Sequence, residues 1–145
     1  MLNTVCLQSC RLMLLCSGVV AVLFLAGCGS DTCVVQGKIV YEDDRTVATD
    51  LAGYTLTLES VEQKAGASGT VRPDGTFEVS TFEHGDGAVP GKHRVAITPP
   101  IQETDGPPIK SLIHSRYGSL EESGLEITVA SGSNEVTLSV ERAEP

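Results

Sequence analysis

The chain has 145 residues, 41% of them hydrophobic but only 4% aromatic, with no Trp; that allows one domain with an aliphatic core and excludes two. Its formal net charge is −9. Nucleic-acid binding needs a basic footprint to neutralise phosphates, and an acidic chain without a Lys/Arg cluster lacks one.

Residues 1–27 read as an export signal. Arg11 is the only charged side chain before Cys28, and it precedes an uncharged apolar run, Leu12 to Ala26. At about fifteen residues the run suits a signal-peptide core and is short of the roughly 20 that a spanning helix needs. It closes on Leu25-Ala26-Gly27-Cys28, which resembles the bacterial lipobox of a Leu, two small residues and a Cys. Small residues let an extended backbone enter a peptidase, and the Cys28 thiol is the nucleophile that can take a diacylglyceryl thioether. After cleavage Cys28 is the new N-terminus, and its amine is a further point of acylation, by palmitate for example. Two or more acyl chains, at about 0.8 kcal/mol per buried methylene, anchor a protein stably where one is marginal. The competing reading is an uncleaved membrane helix, with the run stretched to Gly29. The expected division is a lipoprotein signal peptide over 1–27, a lipidated Cys and tether over 28–33, and a folded domain over 34–145. The address is the cell envelope, on the exported side of a membrane.

Cys6, Cys10 and Cys16 leave with the signal and Cys28 is consumed by lipid, so Cys33 is the sole remaining thiol. No intramolecular disulfide framework can form. A lone thiol in an oxidising compartment predicts either burial or a disulfide dimer through Cys33.

From Val34 the apolar period is two, the mark of half-buried strands. The first strand is expected over Val34 to Tyr41, with Val35, Gly37, Ile39 and Tyr41 on one face and Gln36 and Lys38 on the other. Tyr54 to Ser60 turns Leu56 and Leu58 inward. A weaker strand is expected over Ala67 to Val71. Arg72-Pro73-Asp74-Gly75 reads as a tight turn, Pro presetting φ and Gly accepting a positive one. Thr76 to Phe82 follows, with Phe77 and Val79 inward. Lys92 to Thr98 points Val95 and Ile97 inward. Leu125 to Val129 and Glu135 to Val140 alternate in the same way around a turn at Ser131 to Asn134. The segment Pro99 to Gly124 breaks the rhythm, since its Pro pairs cannot donate to a ladder; it reads as an extended crossover with a helical turn near Ser111 to Tyr117. Seven strands with one apolar face each need a second sheet to cover them. The predicted fold is therefore all-β, a seven-stranded Ig-like or prealbumin-like sandwich.

Three stretches carry a family resemblance: Val35-Gln36-Gly37-Lys38-Ile39-Val40-Tyr41, Asp74-Gly75-Thr76-Phe77, and Val89-Pro90-Gly91-Lys92-His93-Arg94-Val95. Together they resemble the carboxypeptidase regulatory-like domain, a prealbumin-like sandwich related to transthyretin, in which an aromatic usually stands where His93 does. Arg116-Tyr117 followed by Ser123 to Val129 is similar to a set of small bacterial lipoproteins with this domain. The resemblance covers roughly Val34 to Val140. It implies a fold and no activity, because the family takes its name from a domain beside a peptidase.

Residues with chemical potential give little sign of a reaction. His84, His93 and His114 show no metal-ligand spacing, and His93 falls on an inward face as a satisfied core residue. There is no Gly-x-Ser-x-Gly elbow and no phosphate-cradling loop. His114 to Ser119 is similar to the C-terminal motif of transthyretin-like hydrolases only with Arg and Tyr reversed, and it is not terminal. Glu42, Asp43, Asp44 and Asp50 cluster in one loop without calcium-loop spacing, which predicts a solvated acidic loop. Lys38 and Asn134 have the positions of an isopeptide crosslink, but Lys38 lies on the polar face, where its amine keeps its proton. Expected, then, is a non-catalytic envelope lipoprotein with no cofactor and no metal, structural or bound to an envelope protein partner. The alternative is a small-ligand or glycan-binding module using the 99–124 insert, where Tyr117 is the one aromatic.

Overall fold

The computed structural model describes residues 32–101 and 109–144. Seven strands form: β1 (Val35–Tyr41), β2 (Thr55–Ser60), β3 (Gly66–Thr70), β4 (Thr76–Ser80), β5 (Gly91–Thr98), β6 (Leu125–Val129) and β7 (Asn134–Val140). The helical content of the described residues is two short 3-10 turns, Thr49–Leu51 and Ser115–Gly118. Every expected strand is present, its ends unchanged or moved by at most two residues. The one informative shift is in β4, which stops at Ser80 where alternation predicted Phe82. The Asp86 carboxylate accepts the backbone N–H groups of Thr81, Phe82 and Glu83, so these donors serve a loop and are lost to the ladder.

The hydrogen-bonded order is β6-β5-β2-β3-β4-β1-β7. All neighbours are antiparallel except β1 and β7, the first and last strands, which run parallel in seven paired positions from Val35–Asn134 to Tyr41–Val140. β4 makes the fold a sandwich. Its residues Thr76 to Glu78 pair with β1, while Val79 and Ser80 pair with β3. One strand thus serves two sheets, and the ribbon doubles over so that β1 and β7 cover the inner face of β5, β2 and β3.

The period-two faces meet there. Val35, Ile39, Leu56, Leu58, Phe77, Val79, Val95, Ile97, Ile127 and Leu138 are all buried in one cluster, as the alternation requires. Leu125 and Val136 are only partly buried, because β6 and β7 are the edges of the ribbon. Gly37 stands opposite Val136. A Cβ there would overlap the Val136 carbonyl and press on the Phe77 ring, so close approach of β1 and β7 demands glycine at this point. The Arg72–Gly75 turn forms as expected: Gly75 has φ +77°, its N–H donates to the Arg72 carbonyl at 2.9 Å, and Asp74 accepts the Thr76 N–H at 3.0 Å.

The segment after β5 is pinned more firmly than its composition suggests. Ile113 and Tyr117 are buried. The Leu112 N–H donates to the Tyr54 hydroxyl at 2.9 Å, and His114 N–H and Ala143 N–H tie residues 112–114 to 141–143. The loops fall at two ends. The end where the chain enters β1 also carries 61–65, 81–90 and 130–133; the other carries 42–54, 71–75, the departure from β5 and the residues after β7.

Candidate functional site

Cys28, the lipidation candidate, lies outside the described residues, as does the 1–27 signal. The described chain reaches the sandwich at Cys33. The Cys33 N–H donates to the Ala88 carbonyl at 2.8 Å, and the Ala88 N–H donates back at 3.0 Å. Its thiol is free and half-buried against the core.

Beside this junction sits a constructed loop. Asp86 accepts the N–H groups of Thr81 at 2.7 Å, Phe82 at 3.0 Å and Glu83 at 3.1 Å. Burial of the carboxyl opposes its ionisation, but these donors outweigh it and hold Asp86 below the usual carboxylate range. The Gly85 N–H donates to Ser80 Oγ, and Thr81 Oγ1 donates to the Gly87 carbonyl. Gly87, at φ +87°, leaves no room for a Cβ against the Cys33 carbonyl. The loop is thus clamped both to itself and to the point where the chain enters the domain. At its tip the Phe82 side chain is 67% exposed.

The opposite end is organised by Arg142. Its guanidinium lies 3.5 Å from the centroid of the Tyr41 ring and donates to Asp43 and Asp44, each at 3.1 Å. Asp44 also accepts the hydroxyl and backbone N–H of Thr46, and these bonds, with Arg142, lower its carboxyl to about 2. Tyr41 donates to Asp50 at 2.7 Å; burial first, then Asp50, pushes its phenol well above the usual range. Asp43, Asp44 and Asp50 are therefore paired within the protein while remaining exposed with Glu42, and among the described residues no group of His, Cys, Asp and Glu is arranged to hold a metal ion.

The histidines stay apart. His93 is fully buried on β5. Its Nδ1 lies 3.2 Å from the Gly91 carbonyl, while Nε2 is buried without a partner. The expectation of a satisfied core histidine is thus met at one nitrogen and corrected at the other: the facing strands offer Ser60 and Ile127, and the Ser60 hydroxyl, which accepts the Gln63 N–H, makes no bond to Nε2. His114 accepts the Arg116 N–H, and His84 is exposed in the Phe82 loop. Among the described residues no Ser, Thr or Cys side chain hydrogen-bonds a histidine, so no nucleophile stands paired with a base. Lys38 points to solvent and Asn134 closes the β6–β7 turn through Ala130, Gly132 and Val34.

A feature that alternation could not reveal is a cleft of about 550 Å³ where β4 parts from β3. Thr55, Ser68, Thr70 and Ser80 line it with hydroxyls, and the Arg72–Glu78 ion pair, 2.5 Å long, closes one side. In the 99–124 insert, Tyr117 is 0% exposed. Its hydroxyl accepts from Arg116 and from the Glu141 N–H, so it offers no free ring face.

No protein-family model and no curated protein matches the chain. Among solved structures it is similar to BcpA, the major pilin subunit of Bacillus cereus, at 10% identity and a TM-score of 0.47, over 77% of this chain and 30% of that one. It is also similar to a DUF3823 family protein from Parabacteroides merdae, at 20% identity and a TM-score of 0.41, over 78% of this chain and 47% of that one. The chain spans less than half the length of either protein. These likenesses concern architecture only, and the all-β sandwich rests on the strand pairing itself.

Proposed function

We propose that the chain is an exported lipoprotein, held to a membrane of the cell envelope by acyl chains on Cys28, whose sandwich has a non-catalytic role as a structural or macromolecule-binding module. The resemblance to the carboxypeptidase regulatory-like domain belongs to this reading. One observation carries it: the order of Arg11, the apolar run Leu12 to Ala26, and Leu25-Ala26-Gly27-Cys28. Only an export signal needs that order, and only a lipobox needs a thiol at its end. Among the described residues no helix is long and apolar enough to cross a membrane, which leaves the anchoring of this reading to the N-terminal segment. The test is Cys28→Ser in the native host. The wild type partitions into detergent and has lost the mass of residues 1–27 while gaining acyl chains; the variant gains none. A membrane-bound wild type with the mass of the unprocessed chain overturns the proposal.

A second reading, a small-ligand or glycan module, is favoured by the hydroxyl-lined cleft at the β3–β4 parting and not by the insert, whose Tyr117 is buried. Titration with neutral disaccharides, followed by backbone amide shifts, tests it: perturbation at Ser68, Thr70 and Arg72 supports it, and unmoved amides at tens of millimolar sugar dismiss it.

A further inference from the structure

Phe82 is not among the residues of the buried core or those packed against it. Phe82 is 67% exposed, yet Asp86, Ser80 and Thr81 spend a full set of hydrogen bonds on fixing the backbone that presents it. With the backbone beneath it already fixed, burying this side chain elsewhere costs little further backbone order. Its position narrows what can bury it. Gly87 abuts Cys33 and Val34, and Ala88 is bridged to Cys33. Val34, at the same junction, is the other exposed large apolar side chain of this end among the described residues.

Cys28 precedes Cys33 by five residues, and five residues fully extended span at most about 17 Å. A sandwich anchored through Cys28 therefore has its entry end within about 17 Å of the lipid attachment. The opposite end, with Arg142 and the acidic loop, faces away.

We propose that Phe82 dips into the bilayer interface and, with the acyl chains on Cys28, forms a second point of membrane contact that fixes the tilt of the domain. This rests on the lipoprotein reading above. The chemistry selects the surface. Glu62, Glu83 and Asp86 outnumber Lys64 and Lys92 at this end, both lysines are already paired, with Glu59 and Glu126, and the residues after 27 carry nine Lys and Arg against nineteen Asp and Glu. Contact is therefore with neutral, zwitterionic lipid, and anionic lipid weakens it.

The chain has no Trp, so Phe82→Trp installs a single indole at the tip, excited selectively over the three Tyr. The full-length variant, purified from membranes and with its mass taken, is reconstituted into phosphatidylcholine vesicles with and without brominated acyl chains. Expected are a blue-shifted emission, a marked loss of intensity with brominated lipid, protection from aqueous acrylamide, and a smaller effect when phosphatidylglycerol is added. Val47→Trp places the reporter at the opposite end, where acrylamide quenches and brominated lipid does not. Equal unfolding midpoints of both variants and the parent establish that the domain is intact. If Cys28 is acylated and the fluorophore of Phe82→Trp is quenched by acrylamide but not by bromine, the inference fails while the lipoprotein reading stands. A loop-tip fluorophore shielded from both quenchers indicates a protein contact and also overturns it. A mass without acyl chains overturns the lipoprotein reading and this inference with it.

Discussion

Replacing His93 by Leu is expected to stabilise the domain. His93 is fully buried, and the Gly91 carbonyl at 3.2 Å can only accept, so Nδ1 carries the proton and Nε2 presents a lone pair. That lone pair is buried without a donor. An unsatisfied buried polar atom costs about 1–3 kcal/mol, and the single bond at Nδ1 returns about 1 kcal/mol. Leu is close to His in volume, so neither a cavity nor crowding is introduced. It also removes both ring nitrogens from a layer formed by Leu58, Val95 and Ile127. The net expectation is a gain of about 1 kcal/mol, or about 4 °C in Tm for a domain of this size. Urea unfolding followed by circular dichroism, with an unchanged m-value, measures it. A His93→Leu variant no more stable than the parent refutes the reasoning, because Nε2 would then contribute as much as it costs.

Leu138→Ala should destabilise by about 2–5 kcal/mol while Thr137→Ala changes little, since Leu138 is buried and Thr137 is exposed; equal small effects in a urea melt would contradict the register of β7. Asp44 has a folded pKa of about 2, below its ordinary 3.8, so its contribution is present above about pH 4 and is lost as pH falls toward 2. Asp44→Asn should therefore flatten the stability–pH curve across that window, and a parallel curve for the variant would count against the Thr46 and Arg142 contacts. The half-buried Cys33 thiol is expected to yield a dimer band on a non-reducing gel of thiol-blocked cells, and that band should vanish in Cys33→Ser; a dimer that persists in the variant is not a Cys33 disulfide.

Alternation was enough to assign faces. Leu56, Phe77, Val95, Ile127 and Leu138 could be placed in the core because each sits in a two-residue rhythm, and the Arg72–Gly75 turn follows from local chemistry alone. Neighbours could not be read in this way. A strand's period says which side is buried and nothing about which strand lies beside it, so neither the parallel β1–β7 pair nor the splitting of β4 between sheets was legible. The ends of β4 and the exposure of Phe82 depend on Asp86, further along the chain, competing for the ladder's donors. The pairing of Asp43 and Asp44 with Arg142 joins residues 99 and 98 positions apart, which no local pattern encodes. Asp-Gly at 86–87 does carry a turn signal, and it was the one available hint that the strand stops early. The orphaned nitrogen of His93 is a matter of which side chains face it across β2 and β6, again a property of pairing.

The parallel contact of the first and last strands also has a mechanical meaning. β1 begins at one end of the sandwich and β7 finishes at the other, with seven in-register pairs between them. A pull applied between Cys33 and the chain beyond Val140 acts along the strands and slides one past the other. All seven pairs then bear the load together, whereas a hairpin pulled from its open end gives way one pair at a time. Gly37, which lets the two backbones approach so closely, sits within that loaded region. A domain tethered at one end and tugged at the other is thus strained along its most resistant direction.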